Sequence, residues 1–223
     1  MKRNDVDAIR RAIRGKDREL VRLLNERARL SVEMGRVKAS AGIGVFDPVQ
    51  ERRVLDDIAA LNEGPLSAEA LEKLWCEIFS SSRALQAPLR VACLGPEGSF
   101  AHLAARERFG KSAGLLPQVT IGAVFDAVEK SRSDLGVVPL ENSVEGPVRT
   151  TLERLIATPL AIRAEIFLRV SHCLLSKAAG RRIRRVYSHP QALAQCRQWL
   201  ARHLPLAAAV ETESTSAAAL QAR

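Results

Sequence analysis

The chain has 223 residues, room for one large domain or two modest ones, and its 47% hydrophobic and 26% charged residues are a globular balance that supports a buried core. Lys and Arg number 34 against 25 Asp and Glu, a formal charge of +9, yet the basic residues are spread out and aromatics reach only 4%. This argues against a nucleic-acid platform and for small polyanions as what the positive field attracts.

Four cysteines (Cys76, Cys93, Cys173, Cys196) and four histidines lie far apart, with no C-x-x-C pair. The expectation is reduced thiols in a cytoplasm, no disulfide frame and no metal. No apolar run is long enough to span a bilayer, and the opening MKRNDVDAIRRAIRGKDREL has no hydrophobic segment of signal-peptide type. A cytoplasmic protein without membrane or nucleic-acid partners is expected.

The first segment has a helical period. Val6, Ile9, Ile13, Leu20, Leu23, Leu30, Met34 and Val37 occupy the a and d positions of one heptad frame from about residue 5 to 40. Such a helix is on the order of 50 Å long. It needs a second long helix, most simply its own copy in a homodimer. A plain coiled coil would have a uniformly apolar seam, but Arg27 sits at an a position. Lys38 follows three turns later on nearly the same face, roughly 16 Å away, so both cations can reach toward one small anion. Arg10 lies about 25 Å back along the axis and rotated by roughly 100°. It cannot reach the Arg27 pocket of its own helix, although an antiparallel partner could deliver it.

Gly42 and Gly44 break this helix, and Asp47-Pro48 signals the N-cap and first turn of the next, with Gln50 at the capping-box position. Glu51 shares a face with Leu55 and Ile58, pointing a carboxylate at the core side. A third helix from Ser67 carries Leu71, Leu74, Trp75 and Ile78 on one stripe, continued by Ser82 and Gln86. Polar side chains on a core-facing row need partners, and a polar ligand is one way to supply them.

On these residues, Arg10…Arg27…Lys38, Asp47-x-x-x-Glu51, and Ser82 with Gln86, the region 6–86 resembles an all-helical chorismate mutase. The resemblance implies a three-helix, intertwined dimer with two pockets, each completed by Arg10 of the opposite chain. It implies a pericyclic conversion of chorismate to prephenate with no nucleophile, base or cofactor, driven by positioning and charge placement. Arg10 and Arg27 would hold the carboxylates. Lys38 and Gln86 would donate to the ether oxygen, and Glu51, helped by Asp47, would accept from the hydroxyl. Ser82 would line the carboxylate end. Many relatives carry arginine where Gln50 stands, a tuning change in substrate binding.

Pro88 ends the third helix, and the boundary is expected near 87–90, giving domains 1–88 and 89–223. Strand and helix then alternate: RVACLG and SFAHLAARERFG; LLPQVT and GAVFDAVEKS; DLGVVPL and GPVRTTLERLIA; LAIRAEIFLRVSHCLLS, RRVYS and PQALAQCRQWLARH. This predicts a parallel sheet covered by helices, with ligands at the carboxyl ends of the strands. Four loops stand there: GPEGSF; Glu141-Asn142-Ser143; Ser188 and His189 with Gln195 one turn on; and Ser214-Thr215-Ser216 at a helix start, where free N–H groups favour an anion. Singly, GPEGSF reads more readily as a glycine turn and Ser214 and Ser216 as helix caps, while Glu141-Asn142-Ser143 reads equally well as ordinary loop polarity.

In this order the four loops resemble a prephenate dehydratase, so nearly the whole chain resembles the bifunctional chorismate mutase/prephenate dehydratase family of phenylalanine biosynthesis. The resemblance implies an α/β, periplasmic-binding-protein-like fold that converts prephenate to phenylpyruvate. It assigns Glu141, Asn142, Ser188, Gln195 and Thr215 to the substrate cleft. Ser143 and His189 complete the expected substrate-binding set, His189 as an orienting or satisfied histidine rather than a general base. Ala101 stands where relatives usually carry a hydroxyl. The family's Thr-Arg-Phe segment and phenylalanine-sensing domain are not found before Arg223, so the expectation is a C-terminally truncated chain with an intact mutase and an impaired dehydratase. The rival expectation is a monofunctional mutase joined to a non-catalytic small-anion module.

Overall fold

The computed structural model describes residues 3–142, 146–177, 183–213 and 215–222. Three helices come first: α1 (Arg3–Ser40), α2 (Pro48–Leu61) and α3 (Ala68–Gln86). At about 1.5 Å per residue, the 38 residues of α1 reach roughly 57 Å. Asp47 caps α2, accepting from the Gln50 N–H at 3.0 Å, with Pro48 in the first turn. Ser67 caps α3 in the same way. Both caps satisfy N–H groups that a helix start leaves without intrahelical partners.

An α/β region follows: β1 (Arg90–Leu94), α4 (Phe100–Phe109), β2 (Gly114–Gln118), α5 (Ile121–Glu129), β3 (Leu135–Val137), β4 (Glu141–Asn142), β5 (Gly146–Pro147), α6 (Arg149–Ala157), β6 (Arg185–Ser188), α7 (Pro190–His203), β7 (Ala208–Glu211) and α8 (Thr215–Gln221). The chain divides into two compact units, Met1–Pro139 with Arg149–Ile166, and Leu140–Val148 with Phe167–Arg223. This division does not follow the change of composition at 87–90, because the three helices and the first sheet share one unit.

In the first unit β1 is the central strand of a parallel sheet ordered β2-β1-β3. Its run Val91, Ala92, Cys93 is fully buried, as a strand covered on both faces must be. Val91 and Cys93 point to a core with Phe46, Leu89, Ala105, Phe109 and Ala113. Ala92 points to the other face, with Val124 and Ala127 of α5. Phe46, from the loop before α2, therefore joins the sheet's core and meets the Phe109 ring at 5.2 Å. The second unit holds the antiparallel pair β4-β5 and the parallel pair β6-β7, the latter in register Arg185 to Ala208 through Ser188 to Glu211.

One predicted element does not form. LAIRAEIFLRVSHCLLS, residues 160–176, was expected to be a strand, but it has no regular structure. Its β-forming side chains stay exposed, Ile162 at 75%, Phe167 at 86% and Leu175 at 82%. Strand propensity becomes a strand only where a neighbour supplies the ladder, and this segment runs across the division between the units at Ile166 and Phe167.

Candidate active site

Most of the predicted cations and amides of the helical region gather where α1 packs on α3. Arg27 is half-buried there. Its Nη1 donates to Ser82 Oγ at 2.7 Å, and its guanidinium lies 5.7 Å from the centre of the Phe79 ring. Burial lowers its pKa from the ordinary arginine value: partial desolvation makes the cation dearer, and an anion beside it offsets that cost. Two turns on, Gly35 is buried against α3 so closely that a Cβ there would stand 2.9 Å from both Cα and Cγ of Gln86. The helices thus touch backbone to backbone at the amide expected to act on substrate. Gln86 Oε1 is buried and has no hydrogen-bond partner among the described residues. Lys38, half-buried at the end of α1, donates to the Val45 carbonyl at 3.3 Å.

The remaining helical candidates lie around this seam. Asp47 and Gln50 are exposed at the start of α2, joined by the capping bond. Arg10 is exposed and pairs with Asp7 at 3.5 Å on its own helix, about 25 Å from Arg27 along the axis. Glu51 faces inward as expected, but with two partners that sequence reasoning missed. Oε1 accepts from Nη1 of Arg83, and Oε2 accepts from Nη1 of Arg108 at 2.9 Å. Arg83 Nη2 also donates to the Phe109 carbonyl at 2.9 Å. A buried carboxylate on α2 called for a cation, but nothing in the spacing singled out these two arginines.

In the second unit three polar side chains from distant segments form a chain. Gln195 Nε2 donates to Asn142 Oδ1 at 3.4 Å, and Gln195 Oε1 lies 2.5 Å from Nε2 of His172. His172 was not foreseen, because it lies in the stretch expected to be a strand. Ser188 ends β6, and its carbonyl accepts from Thr212 N–H at 3.0 Å just beyond β7. His189 caps α7, its Nδ1 accepting from Gln191 N–H at 3.3 Å. Thr215 is exposed at the start of α8, so Ser188, His189 and Thr215 lie at or beyond the carboxyl ends of the parallel pair. Glu141 is exposed on β4. Ser143 and Ser214 lie outside the described residues, as does the side chain of Ser216. In the first unit, GPEGSF forms the β1–α4 turn. There Ser99 caps α4 through His102 N–H at 3.2 Å and donates to the Leu94 carbonyl at 2.7 Å, so its hydroxyl serves the backbone.

Comparison with known proteins agrees with both regions. Residues 91–223 match the family model for prephenate dehydratase. The chain belongs to the prephenate dehydratase family. Ahead of that match, residues 9–87 fit the model for chorismate mutase type II. The chain is similar to proteins named bifunctional chorismate mutase/prephenate dehydratase. The protein of that name from Aquifex aeolicus (strain VF5) is 40% identical over 219 residues, 96% of this chain and 60% of its own length. That from Stutzerimonas stutzeri is 42% identical over 223 residues, 97% of this chain and 61% of its own. The chain therefore spans about 60% of the length of these curated relatives. Among solved structures, a chorismate mutase from Thermus thermophilus is 38% identical, covering 37% of this chain and 93% of that one, with a TM-score of 0.36. No helix of the described residues is long and apolar enough to cross a membrane.

Proposed function

We propose that the helical region converts chorismate to prephenate, and that the α/β region acts on prephenate to give phenylpyruvate, carbon dioxide and water, in a cytoplasmic homodimer. The observation that carries the first half is the α1–α3 seam. Arg27 is partly desolvated there, Ser82 is fixed against it, and the buried Gln86 amide has an oxygen lacking a partner among the described residues. An unpaired buried polar atom costs on the order of 1–3 kcal/mol; with the amide turned over, Gln86 presents N–H donors in place of Oε1, and an anionic ligand accepting from them removes that cost. Arg27 would take one carboxylate of the substrate and Arg10 of a second copy the other. Lys38 and the Gln86 amide N–H would meet the negative charge that gathers on the ether oxygen as its bond breaks. Glu51 would accept from the ring hydroxyl. Each of its oxygens holds one guanidinium N–H and keeps a second lone-pair direction.

The homodimer is supported by α1 itself. Of its predicted seam residues Ile13 is 54% exposed, Leu30 65% and Val37 62%. A stripe this long on one helix reads as an interface, and a second α1 is the partner whose heptads match.

For the second step, hydroxide leaves as water once protonated while the carboxylate departs as carbon dioxide. The chain His172–Gln195–Asn142 holds its amides in place for this, and the hydroxyls of Ser188 and Thr215 would line the approach. The parallel pairing in both units fits a periplasmic-binding-protein-like architecture.

The test follows absorbance at neutral pH, first with chorismate and then with prephenate, because acid aromatises prephenate without an enzyme. Loss of chorismate with wild-type chain, and its abolition by Arg10→Ala at unchanged melting temperature, is expected. A monomer fully competent with chorismate would overturn the dimeric pocket. Calorimetric binding of prephenate without turnover would favour a non-catalytic anion-binding module in the α/β region.

A further inference from the structure

Helix α3 is polar on two faces. Phe79, Ser82 and Gln86 meet α1. Cys76, Ser80 and Arg83, spaced i, i+4, i+7, meet the end of α4 and the turn after it. That second contact is dense. Cys76 Sγ reaches the Glu107 carbonyl at 3.0 Å, and Ser80 Oγ accepts from Ser112 N–H at 3.0 Å. Gly110 sits at φ +73, where a Cβ would stand 2.5 Å from Ser80 Cβ. At the centre lies the Glu51 carboxylate, gripped by Arg83 of α3 and Arg108 of α4. Both guanidiniums also cover Phe46, at 5.9 Å and 5.2 Å from its ring centre.

This cluster shares its backbone with the proposed mutase pocket. Phe46 directly follows Val45, whose carbonyl takes Lys38, and Arg83 directly follows Ser82, which takes Arg27. Glu51 lies one turn after the Asp47 cap. Displacing the cluster therefore displaces the loop that seats Lys38 and the helix turn that seats Arg27. We propose that Arg108, which belongs to the prephenate dehydratase segment of the sequence, is a positioning residue for the mutase pocket, acting through Glu51 and Phe46. The inference rests on the mutase reading and adds to it that the helical region is completed by a side chain from beyond its own limits. Coulomb attraction alone would be met by any cation. The fork of a guanidinium, hydrogen-bonded to Glu51 and stacked on Phe46, fixes direction as well.

The experiment uses the full chain with chorismate. Arg108→Met is expected to lower kcat on the order of 10- to 100-fold with KM changed less than about threefold, the signature of lost alignment rather than lost binding. Arg108→Lys, which keeps the charge without the fork, should fall between. A purely structural role is separated by a double-mutant cycle: in a Glu51→Gln background the Arg108→Met effect should shrink to within about twofold. Equal effects in both backgrounds would overturn the proposal. If Arg108→Met melts below the assay temperature, Arg108→Lys decides, and a wild-type kcat in that variant overturns it. An active parent whose Arg108 variants keep their kcat refutes this inference alone. A folded parent with no chorismate turnover refutes the mutase reading and this inference together.

Discussion

Two glycines of α1 form an internal control for the close helix crossing at the proposed pocket. Gly15 is exposed, at a position outside the heptad seam, and a Cβ added there meets nothing within 4 Å. Gly35 is buried, and its Cβ would meet Gln86 Cα and Cγ at 2.9 Å and Gln86 Cβ at 3.0 Å. Replacing either by alanine gains about 1 kcal/mol of helix propensity. At Gly15 that gain stands alone. At Gly35 it meets carbons about 0.6–1 Å inside ordinary contact distance, one of them backbone that cannot swing away. Overpacking of this kind costs about 1–3 kcal/mol. Propensity cancels between the two variants, so their difference isolates the clash. For a domain of this size each kcal/mol moves Tm by about 2–4 °C, so Gly15→Ala should melt about 2–12 °C above Gly35→Ala at equal protein concentration. Activity should split the same way. Gly15→Ala keeps wild-type kcat/KM for chorismate, and Gly35→Ala, which pushes Gln86 out of line, loses at least about tenfold. A Gly35→Ala variant that melts with or above Gly15→Ala would refute the backbone contact.

Thiol labelling should follow burial. Cys173 is exposed, whereas Cys93 is completely buried, and burial raises the pKa of both Cys76 and Cys93. A disulfide reagent at pH 8, read by peptide mapping, should modify Cys173 first and Cys93 only on unfolding. Asp134 joins β1 to the turn before β3. It accepts from Arg90 N–H at 2.8 Å and from Arg90 Nη2 at 3.0 Å. Partial burial raises its pKa, but the bonds and charge of Arg90 outweigh this and hold it below the usual carboxylate range. Its contribution is therefore full above the ordinary aspartate value of about 4 and is lost as pH falls through the lower folded value. Asp134→Asn should flatten that part of the acid melting curve, and an unchanged curve would refute the assignment. Gly110→Ala combines a left-handed backbone with a Cβ 2.5 Å from Ser80. A loss of about 2–5 kcal/mol is expected, measured by denaturant titration.

Much of the local structure was legible because it is governed by short-range chemistry. The Asp47-Pro48 and Ser67 helix starts form where predicted, and so does the end of α3 before Pro88. The apolar strand after Pro88 becomes the centre of a parallel sheet. The heptad stripe of α1 was legible for the same reason, since it is written at fixed spacing. The candidate site was legible in part. Arg27 and Ser82 do meet, across 55 positions, because each lay on a face whose period could be read. Arg83 could not be found in that way. The stripe that identified Ser82 and Gln86 describes only one side of α3, and the other side is defined by α4, which no period on α3 announces. His172 was hidden for a different reason. Its surroundings have the composition of a strand, and what puts it beside Gln195 is tertiary placement of an irregular segment.

The Glu51 cluster also bears on why charge is buried at this place at all. Three ionised groups with side chains 11%, 4% and 24% exposed lose much of their hydration. Their mutual attraction in such settings roughly offsets that loss, and apolar side chains of the same volume often stabilise as well or better. Stability alone therefore gives no preference for this arrangement over an extension of the Phe46–Phe109 core. Direction does. Leucines in these positions would fill the volume yet leave α2 free to rotate by a fraction of a turn, whereas two guanidiniums bonded to separate oxygens of one carboxylate fix its plane. The loop bearing Val45 and Phe46 and the α3 turn bearing Ser82 are then fixed as well. A reaction that depends on placing charge, with no covalent step to correct for misalignment, is where such fixing matters most.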